Sequence, residues 1–133
     1  MTIATVTTDI NIGPFKIPAN AQNMIMNNYA QRNNLQVELV IPEPFKSNAL
    51  VTLQWLNKDI KFTKIILSSI YQLPRKKDWI NDFIINFKRV EFHFALEGMH
   101  GKGKNFLLSC IDEVSKFEKN QIIDSKKIKW TSL

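Results

Sequence analysis

The residue types that most often carry out chemistry are scarce in this chain. It has two histidines, His93 and His100, and a single cysteine, Cys110. Their spacing matches no zinc or iron site, so we expect neither a metal nor a cofactor. His93 stands between Phe92 and Phe94, a pattern more typical of one face of a strand than of a catalytic base. No Ser-His-Asp arrangement is recognisable from the sequence.

Phosphate-binding motifs are incomplete. The pattern GxxxxGK[ST] is absent, and the first predicted strand is not followed by the glycines of a dinucleotide-binding fingerprint. A glycine-rich turn at residues 98–103 precedes the last predicted helix, where backbone N–H groups with Lys102 and Lys104 could hold an anion. Three glycines in such a position more often form a simple turn.

The charge balance favours an anionic partner. The chain carries 18 Lys and Arg against 12 Asp and Glu, a net charge of +6, and residues 57–89 hold eight of the basic residues against three acidic ones. Nucleic acid, an anionic membrane or a phosphorylated substrate would each fit. The basic residues 75–77 lie between the aromatic residues Tyr71 and Trp79, a mixture that could grip nucleic acid. The helical spacing of Trp79 and Phe83 fits core packing better. Scattered lysines that only solvate the surface are the competing explanation.

Length and composition indicate one globular domain spanning residues 1–133. The chain is 44% hydrophobic and 23% charged, which is ordinary for a folded domain. One cysteine excludes an internal disulfide framework and suits a reducing compartment. We find no apolar run long enough to span a membrane and no secretory signal, so we expect a cytoplasmic protein.

Strands and helices alternate along the chain. Apolar periodicity predicts strands over residues 3–8, 36–41, 63–70 and 90–96, and helices over residues 19–34, 50–56, 78–87 and 104–127, with Ser47 as a possible cap of the second helix. This order implies an α/β fold, a mainly parallel sheet of four or five strands with helices on both faces. Ligands of such folds bind beyond the carboxyl ends of the strands. A site is therefore expected from the loops near residues 7–18, 41–43, 68–75 and 96–104.

The last predicted helix carries a longer apolar stripe than a small sheet can cover. We interpret the surplus as an isologous homodimer interface. Coverage of the stripe by residues 127–133 is the alternative. The candidate interface residues are Phe106, Cys110, Val114, Phe117 and Gln121.

Several segments resemble the catalytic domain of serine recombinases, the resolvases and DNA invertases. Residues 4–9 (ATVTTD) are similar to the family's first strand, and Gln22 matches a glutamine of its first helix. Residues 71–75 (YQLPR) stand where the family has D-R-L-G-R. Residues 93–123 resemble its strand, turn and long helix, with FEKNQI late in that helix. The resemblance implies a resolvase-like fold with a long C-terminal helix.

The departures from the recombinase pattern fall on the chemistry. Attack on a phosphodiester needs a serine hydroxyl, and arginines must stabilise the transition state. Thr7 stands at the serine position, Thr5 and Gln72 replace arginines, and Arg75 alone remains of that cluster. Thr7 and Arg75 are therefore the only candidate catalytic residues. The family's helix-turn-helix domain is also missing from this sequence, and we expect no strand exchange.

A closer resemblance is to a family of small resolvase-like proteins found in sporadic carbohydrate clusters, among genes for surface polysaccharides. Residues 17–35, 68–74 and 94–97 are similar to its characteristic segments, including Gln-Leu-Pro in the turn. This resemblance implies a cytoplasmic role in the biosynthesis of O-antigen, capsule or a related glycan.

These observations lead to one hypothesis with three alternatives. We expect the chain to bind a phosphorylated or nucleotide-linked sugar, or a biosynthetic enzyme. The alternatives are DNA binding or strand transfer, a non-enzymatic dimeric scaffold, and a vestigial pocket whose polar groups are satisfied by their own hydrogen bonds. The candidate ligand-binding residues are Thr7, Asn11, Gln22, Ser68, Gln72, Arg75 and Glu97.

Overall fold

Five strands and four helices make up the described part of the chain. The computed structural model describes residues 2–13, 16–43 and 50–131, and the side chains of the last helix as far as residue 118. The strands are β1 (Thr2–Thr8), β2 (Leu39–Glu43), β3 (Phe62–Leu67), β4 (Glu91–Phe94) and β5 (Met99–Gly101). The helices are α1 (Ala19–Arg32), α2 (Val51–Leu56), α3 (Lys77–Phe87) and α4 (Lys104–Thr131), and a 3₁₀ turn (Ile70–Gln72) follows β3.

The strands form one sheet in the order β2-β1-β3-β4-β5. The first four are mutually parallel, with Val6 of β1 opposite both Ile41 of β2 and Leu67 of β3. β5 is antiparallel to β4 and places His100 opposite His93. The predicted α/β architecture, a mainly parallel sheet with a long last helix, is confirmed.

The two faces of the sheet differ in character. One face carries the larger apolar core, where β-branched and aromatic residues pack against α2, α3 and α4. Phe92 and Phe94 of β4 point into it and contact Phe83 and Phe106 respectively. On the other face, Met26, Tyr29 and Ala30 of α1 pack on Ile66 and Ala95. This α1 face also receives polar side chains, because residues alternate between faces along each strand.

The predicted bounds of β2 and β3 are wrong, and β4 is shorter than predicted. β2 begins later than expected and includes Pro42, which lies opposite Thr7. A proline is tolerated there because β2 is an edge strand and one of its N–H groups can point away from the sheet. β3 ends at Leu67, since Ser69 caps the 3₁₀ turn by accepting a hydrogen bond from Tyr71 N at 3.2 Å.

The glycine-rich segment predicted as a flexible turn contains β5. Gly98 adopts φ of +66°, so it makes the tight turn that reverses the chain after β4. Gly101 then approaches the ring of Phe106 so closely that an added Cβ would lie 2.6 Å from its Cδ1. Gly98 is favoured by its positive φ. Gly101 leaves space for the ring of Phe106, in the first turn of α4.

Most of the predicted interface residues of α4 belong to the core of the same chain. Cys110 and Val114 are buried against the sheet, and Phe106 packs on the core edge. Phe117 is partly exposed and packs edge-to-face on Tyr71, with ring centroids 5.4 Å apart. The Gln121 side chain lies outside the described residues, as does Ser47, the expected cap of the second helix.

Candidate functional site

Gln22 joins the loop after β1 to the beginning of α1. Its Oε1 accepts a hydrogen bond from Thr8 N at 2.8 Å, and its Nε2 donates to the carbonyl oxygens of Thr8 and Ile17 at 2.8 and 2.7 Å. The side chain is fully buried. Both amide hydrogens are thereby used, so Gln22 holds the backbone of the loop in place.

Gln72 does the same at the next strand. Its Oε1 accepts from Ser68 N at 2.7 Å, and its Nε2 donates to the carbonyl oxygen of Val6 at 3.0 Å. The bond to Val6 ties the 3₁₀ turn to the middle of the sheet. Within the described part of the chain, the neighbouring hydroxyls of Ser68 and Thr5 are buried without a hydrogen-bond partner.

Glu97 fixes the loop after β4 to the 3₁₀ turn. Its carboxylate accepts hydrogen bonds from Ser69 Oγ at 2.7 Å and from Ile70 N at 2.9 Å. Negative charge at the beginning of a helical turn is favourable, because the free N–H groups there carry partial positive charge. Glu97 remains solvent-exposed, so its other lone pairs can accept hydrogen bonds from a ligand.

Arg75 is engaged with α4. Its Nη1 is paired with the carboxylate of Glu118, and its Nη2 donates to the carbonyl oxygen of Tyr71 at 2.7 Å. The guanidinium carbon also lies 5.9 Å from the centre of the Tyr71 ring. The only arginine that the recombinase resemblance retains therefore connects the 3₁₀ turn to the long helix.

Thr7 and Asn11 occupy different environments. Thr7 is buried in β1, whereas Asn11 is exposed in the loop that follows. In the same loop, Gly13 lies against Tyr71: a Cβ added to Gly13 would be 3.5 Å from the Tyr71 ring. The structure thus brings the predicted ligand residues to one end of the sheet, and uses Gln22, Gln72 and Arg75 there for internal hydrogen bonds.

A cavity of about 500 Å³ lies beside the carboxyl end of β4, on the α1 face. We call it the β4 cavity. Arg32 of α1 contributes a side chain whose Nε is 3.4 Å from the carbonyl oxygen of Asn28, and this leaves its terminal nitrogens available. Its lining includes Tyr29, Arg32, Asn33, Glu97, Gly98 and His100.

A buried histidine lies behind this cavity. His93 Nδ1 is 2.7 Å from the hydroxyl of Tyr29, and the His93 ring stacks on His100 with centroids 5.1 Å apart. Nε2 is 3.2 Å from Glu91 Oε2, at an angle outside hydrogen-bond geometry. Burial lowers the pKa of His93, and Glu91 only partly opposes this shift. His93 is therefore neutral at pH 7 and positions Tyr29 rather than carrying charge.

Burial also makes the cysteine unreactive. It raises the pKa of Cys110 to about 11, and the carboxylates of Glu97 and Glu113 add to the shift. A thiol that stays protonated is a poor nucleophile and a poor metal ligand. Among the described residues, no group of three or more His, Cys, Asp or Glu could hold a metal ion. No helix in that part of the chain is both long and apolar enough to cross a membrane.

Comparison with solved structures decides the fold. The chain superposes on the N-terminal catalytic domain of TP901-1 integrase with a TM-score of 0.58, covering 91% of this chain and 98% of that domain. The fold is resolvase-like. Sequence identity is only 17%, so this likeness establishes the architecture alone. No family model and no curated protein matches the chain.

Of the residues that line the β4 cavity, only Glu97 was among the predicted ligand residues. The sequence did not indicate the four polar side chains of Tyr29, Arg32, Asn33 and His100. The position of His100 was not predicted, because residues 98–103 were expected to form a turn. They contain β5, which places His100 opposite His93. Arg32 carried the one available signal, as a basic residue in the last turn of a helix that must cover the sheet.

Proposed function

We propose that this resolvase-like chain binds a nucleotide-linked sugar used in surface-polysaccharide biosynthesis, of the O-antigen or capsule type, and does not exchange DNA strands. The β4 cavity carries the proposal. It has the volume of a small-molecule site, and it combines a cation with neutral and acidic hydrogen-bonding groups. Nucleotide-linked sugars present the complementary groups, since a negatively charged diphosphate lies beside many hydroxyl groups.

Individual groups of the cavity suit the two parts of such a ligand. Within the described residues, the terminal nitrogens of Arg32 have no partner, so they can donate two parallel hydrogen bonds to a phosphate. Asn33 donates its Nδ2 to the carbonyl oxygen of Tyr29 at 2.8 Å, which leaves its Oδ1 for a sugar hydroxyl. Glu97 also lines the cavity and offers carboxylate lone pairs.

The resemblance to the carbohydrate-cluster family supports the same cavity. Two of the three segments that carry the resemblance, residues 17–35 and 94–97, contribute lining residues. The first contains Tyr29, Arg32 and Asn33, and the second contains Glu97. A role on nucleotide-linked sugars would place the protein in the cytoplasm, with a biosynthetic enzyme as a further partner.

A thermal-shift screen with a panel of nucleotide-linked sugars tests the proposal. We expect at least one of them to raise the melting temperature, because a ligand that binds only the folded state stabilises it by mass action. Arg32→Ala should abolish the shift. The matched control is Arg75→Ala, which removes an arginine engaged by Glu118 and should keep the ligand response. Absence of any shift for the wild-type chain, or loss of the response in both variants alike, would contradict the proposal.

DNA strand transfer or DNA binding is the second candidate, favoured by the likeness to an integrase catalytic domain. The chemistry at the carboxyl end of β1 argues against strand transfer, since Thr7 is buried and Arg75 is engaged by Glu118. Incubation with supercoiled plasmid should therefore give no nicked or covalently linked product. Nicking that disappears in Thr7→Ala would instead establish recombinase-type chemistry.

A further inference from the structure

Positive charge gathers at the end of the sheet opposite the predicted ligand loops. The chain enters β3 immediately after Lys61 and enters β4 shortly after Arg89, while Lys64 lies on β3 itself. Because β5 is antiparallel to β4, it returns Lys102 to the same end. Four cations from three segments of the chain therefore meet at the amino end of β3 and β4.

These cations line a concave surface with little negative charge. Its volume is about 430 Å³, and its lining comprises Lys61, Phe62, Thr63, Lys64, Arg89, Glu91 and Lys102. We call it the basic cavity. Lys64 Nζ lies 2.7 Å from Glu91 Oε2, and this hydrogen bond lowers the pKa of Glu91. Within the described residues, no ion pair involves Lys61, Arg89 or Lys102.

The backbone that carries these cations is held in place. Thr2 N donates to the carbonyl oxygen of Lys61 at 3.0 Å, which fixes the beginning of β3 to β1. Asn57 Nδ2 donates to the carbonyl oxygen of Asn86 at 3.3 Å, which joins the loop before β3 to the end of α3 near Arg89. Like charges held together repel one another and destabilise the fold. A bound anion would relieve that repulsion.

We propose that the basic cavity binds a diphosphate or triphosphate group, either free or carried by a nucleotide. Three cations without an ion-pair partner match the charge of such a group, and Arg89 adds the planar donor fork that recognises phosphate oxygens. A cavity of about 350 Å³ adjoins it and shares Lys61 and Arg89. Its lining adds one cation and one carboxylate, Lys58 and Asp59. The adjoining cavity gives room for a nucleoside attached to the phosphates.

The compact shape of the charge favours this ligand over duplex DNA. Duplex binding uses cations distributed along many successive phosphates. Here the cations line one concavity, whose lining also includes the buried residue Phe62. The inference is independent of the sugar-binding proposal, because none of these residues lines the β4 cavity.

Isothermal titration with inorganic triphosphate tests the inference, with a nucleoside triphosphate and a short DNA duplex as parallel arms. We expect saturable binding of triphosphate to the full chain, weakened roughly tenfold or more in Lys61→Gln/Arg89→Gln, because charge-assisted contacts are lost. The matched control Lys16→Gln/Lys77→Gln removes two exposed cations near the opposite end of the sheet, and should leave the affinity within about twofold. Tighter binding of the nucleoside triphosphate would identify a nucleotide as the source of the phosphates, and equal binding would identify the phosphate group alone.

Three outcomes would overturn the inference. The first is no saturable binding of triphosphate by the wild-type chain. The second is an equal loss of affinity in both double variants, which would mean that net charge alone is responsible. The third is a duplex that binds more tightly than either triphosphate and depends on Lys61 and Arg89, which would make the surface a nucleic-acid site. Arg32→Ala, which tests the sugar-binding proposal, should leave triphosphate binding unchanged, so that the two proposals fail separately.

Discussion

At the residue scale, polar side chains at strand ends serve the backbone as often as a ligand. Gln22 and Gln72 are predicted ligand-binding residues, yet each donates to the backbone and accepts from a backbone N–H. The sequence predicts the position of such residues because strand ends can be located from apolar periodicity. It does not predict their partners, since Val6 lies 66 residues from Gln72 and only the folded sheet brings them together.

His93 should make the stability of the fold depend on pH near neutrality. Burial lowers its pKa below the value of about 6.5 for a free histidine, so the unfolded chain binds more protons than the folded chain. The free energy of unfolding should therefore fall as the pH drops below about 6.5, by at most ~1.4 kcal/mol per pH unit for one group. Urea unfolding across this range measures the slope.

A matched pair of variants tests whether His93 causes this pH dependence of stability. His93→Gln should flatten it, whereas His100→Gln, which keeps Tyr29 and Glu91 beside His93, should retain it. Glu91 cannot produce this slope. Its pKa is lowered from about 4.5 by Lys64, so its contribution to stability changes only below that pH. An unchanged slope in His93→Gln would show that another group is responsible.

At the element scale, the errors in prediction come from tertiary context. The predicted second strand ends before Pro42, because proline removes a backbone donor, but an edge position makes Pro42 acceptable inside β2. β5 was hidden because its three residues, Met99–Gly101, are too few to carry a periodic pattern and lie within a glycine-rich segment. The long, strongly periodic elements were located correctly, since α3 and α4 repeat apolar residues over several turns.

Gly101 should be essential to the junction between β5 and α4. A Cβ there would lie 2.6 Å from Phe106, whose ring packs against Phe94 in the core. Gly101→Ala should therefore destabilise the fold by about 1–3 kcal/mol, the usual cost of overpacking. Chemical denaturation measures the change. Phe106→Leu in the same chain should recover part of the loss, because a smaller side chain leaves space for the Cβ, and purely additive effects would contradict the steric explanation.

At the scale of the whole molecule, the sequence predicted the excess of positive charge but not its location. Parallel α/β folds bind ligands at the carboxyl ends of their strands, and that rule directed attention to residues 68–75. Part of the surplus from residues 57–89 lies instead at the amino end, around Lys61, Lys64 and Arg89. Net charge is a property of composition, whereas its concentration depends on β5 returning Lys102 to the same end.

The homodimer predicted from α4 should form through the outer face that α3 and α4 share. Cys110 and Val114 are buried in the core, but Ile85 and Leu108 are 65% and 37% exposed and line a shallow cavity of about 330 Å³. An isologous interface repeats each substitution in both subunits, so a single buried carboxylate is introduced twice. Leu108→Glu should therefore weaken the dimer by roughly a hundredfold or more in sedimentation velocity.

Met24→Glu is the matched control for this experiment. Met24 is 66% exposed on α1, which packs on the other face of the sheet, so a carboxylate there should leave the dimer intact. Equal weakening by both variants would indicate a general effect of charge rather than this interface. A monomeric wild-type chain at high protein concentration would contradict the dimer itself, and Ile85 and Leu108 would then be isolated apolar residues of the kind that ordinary protein surfaces carry.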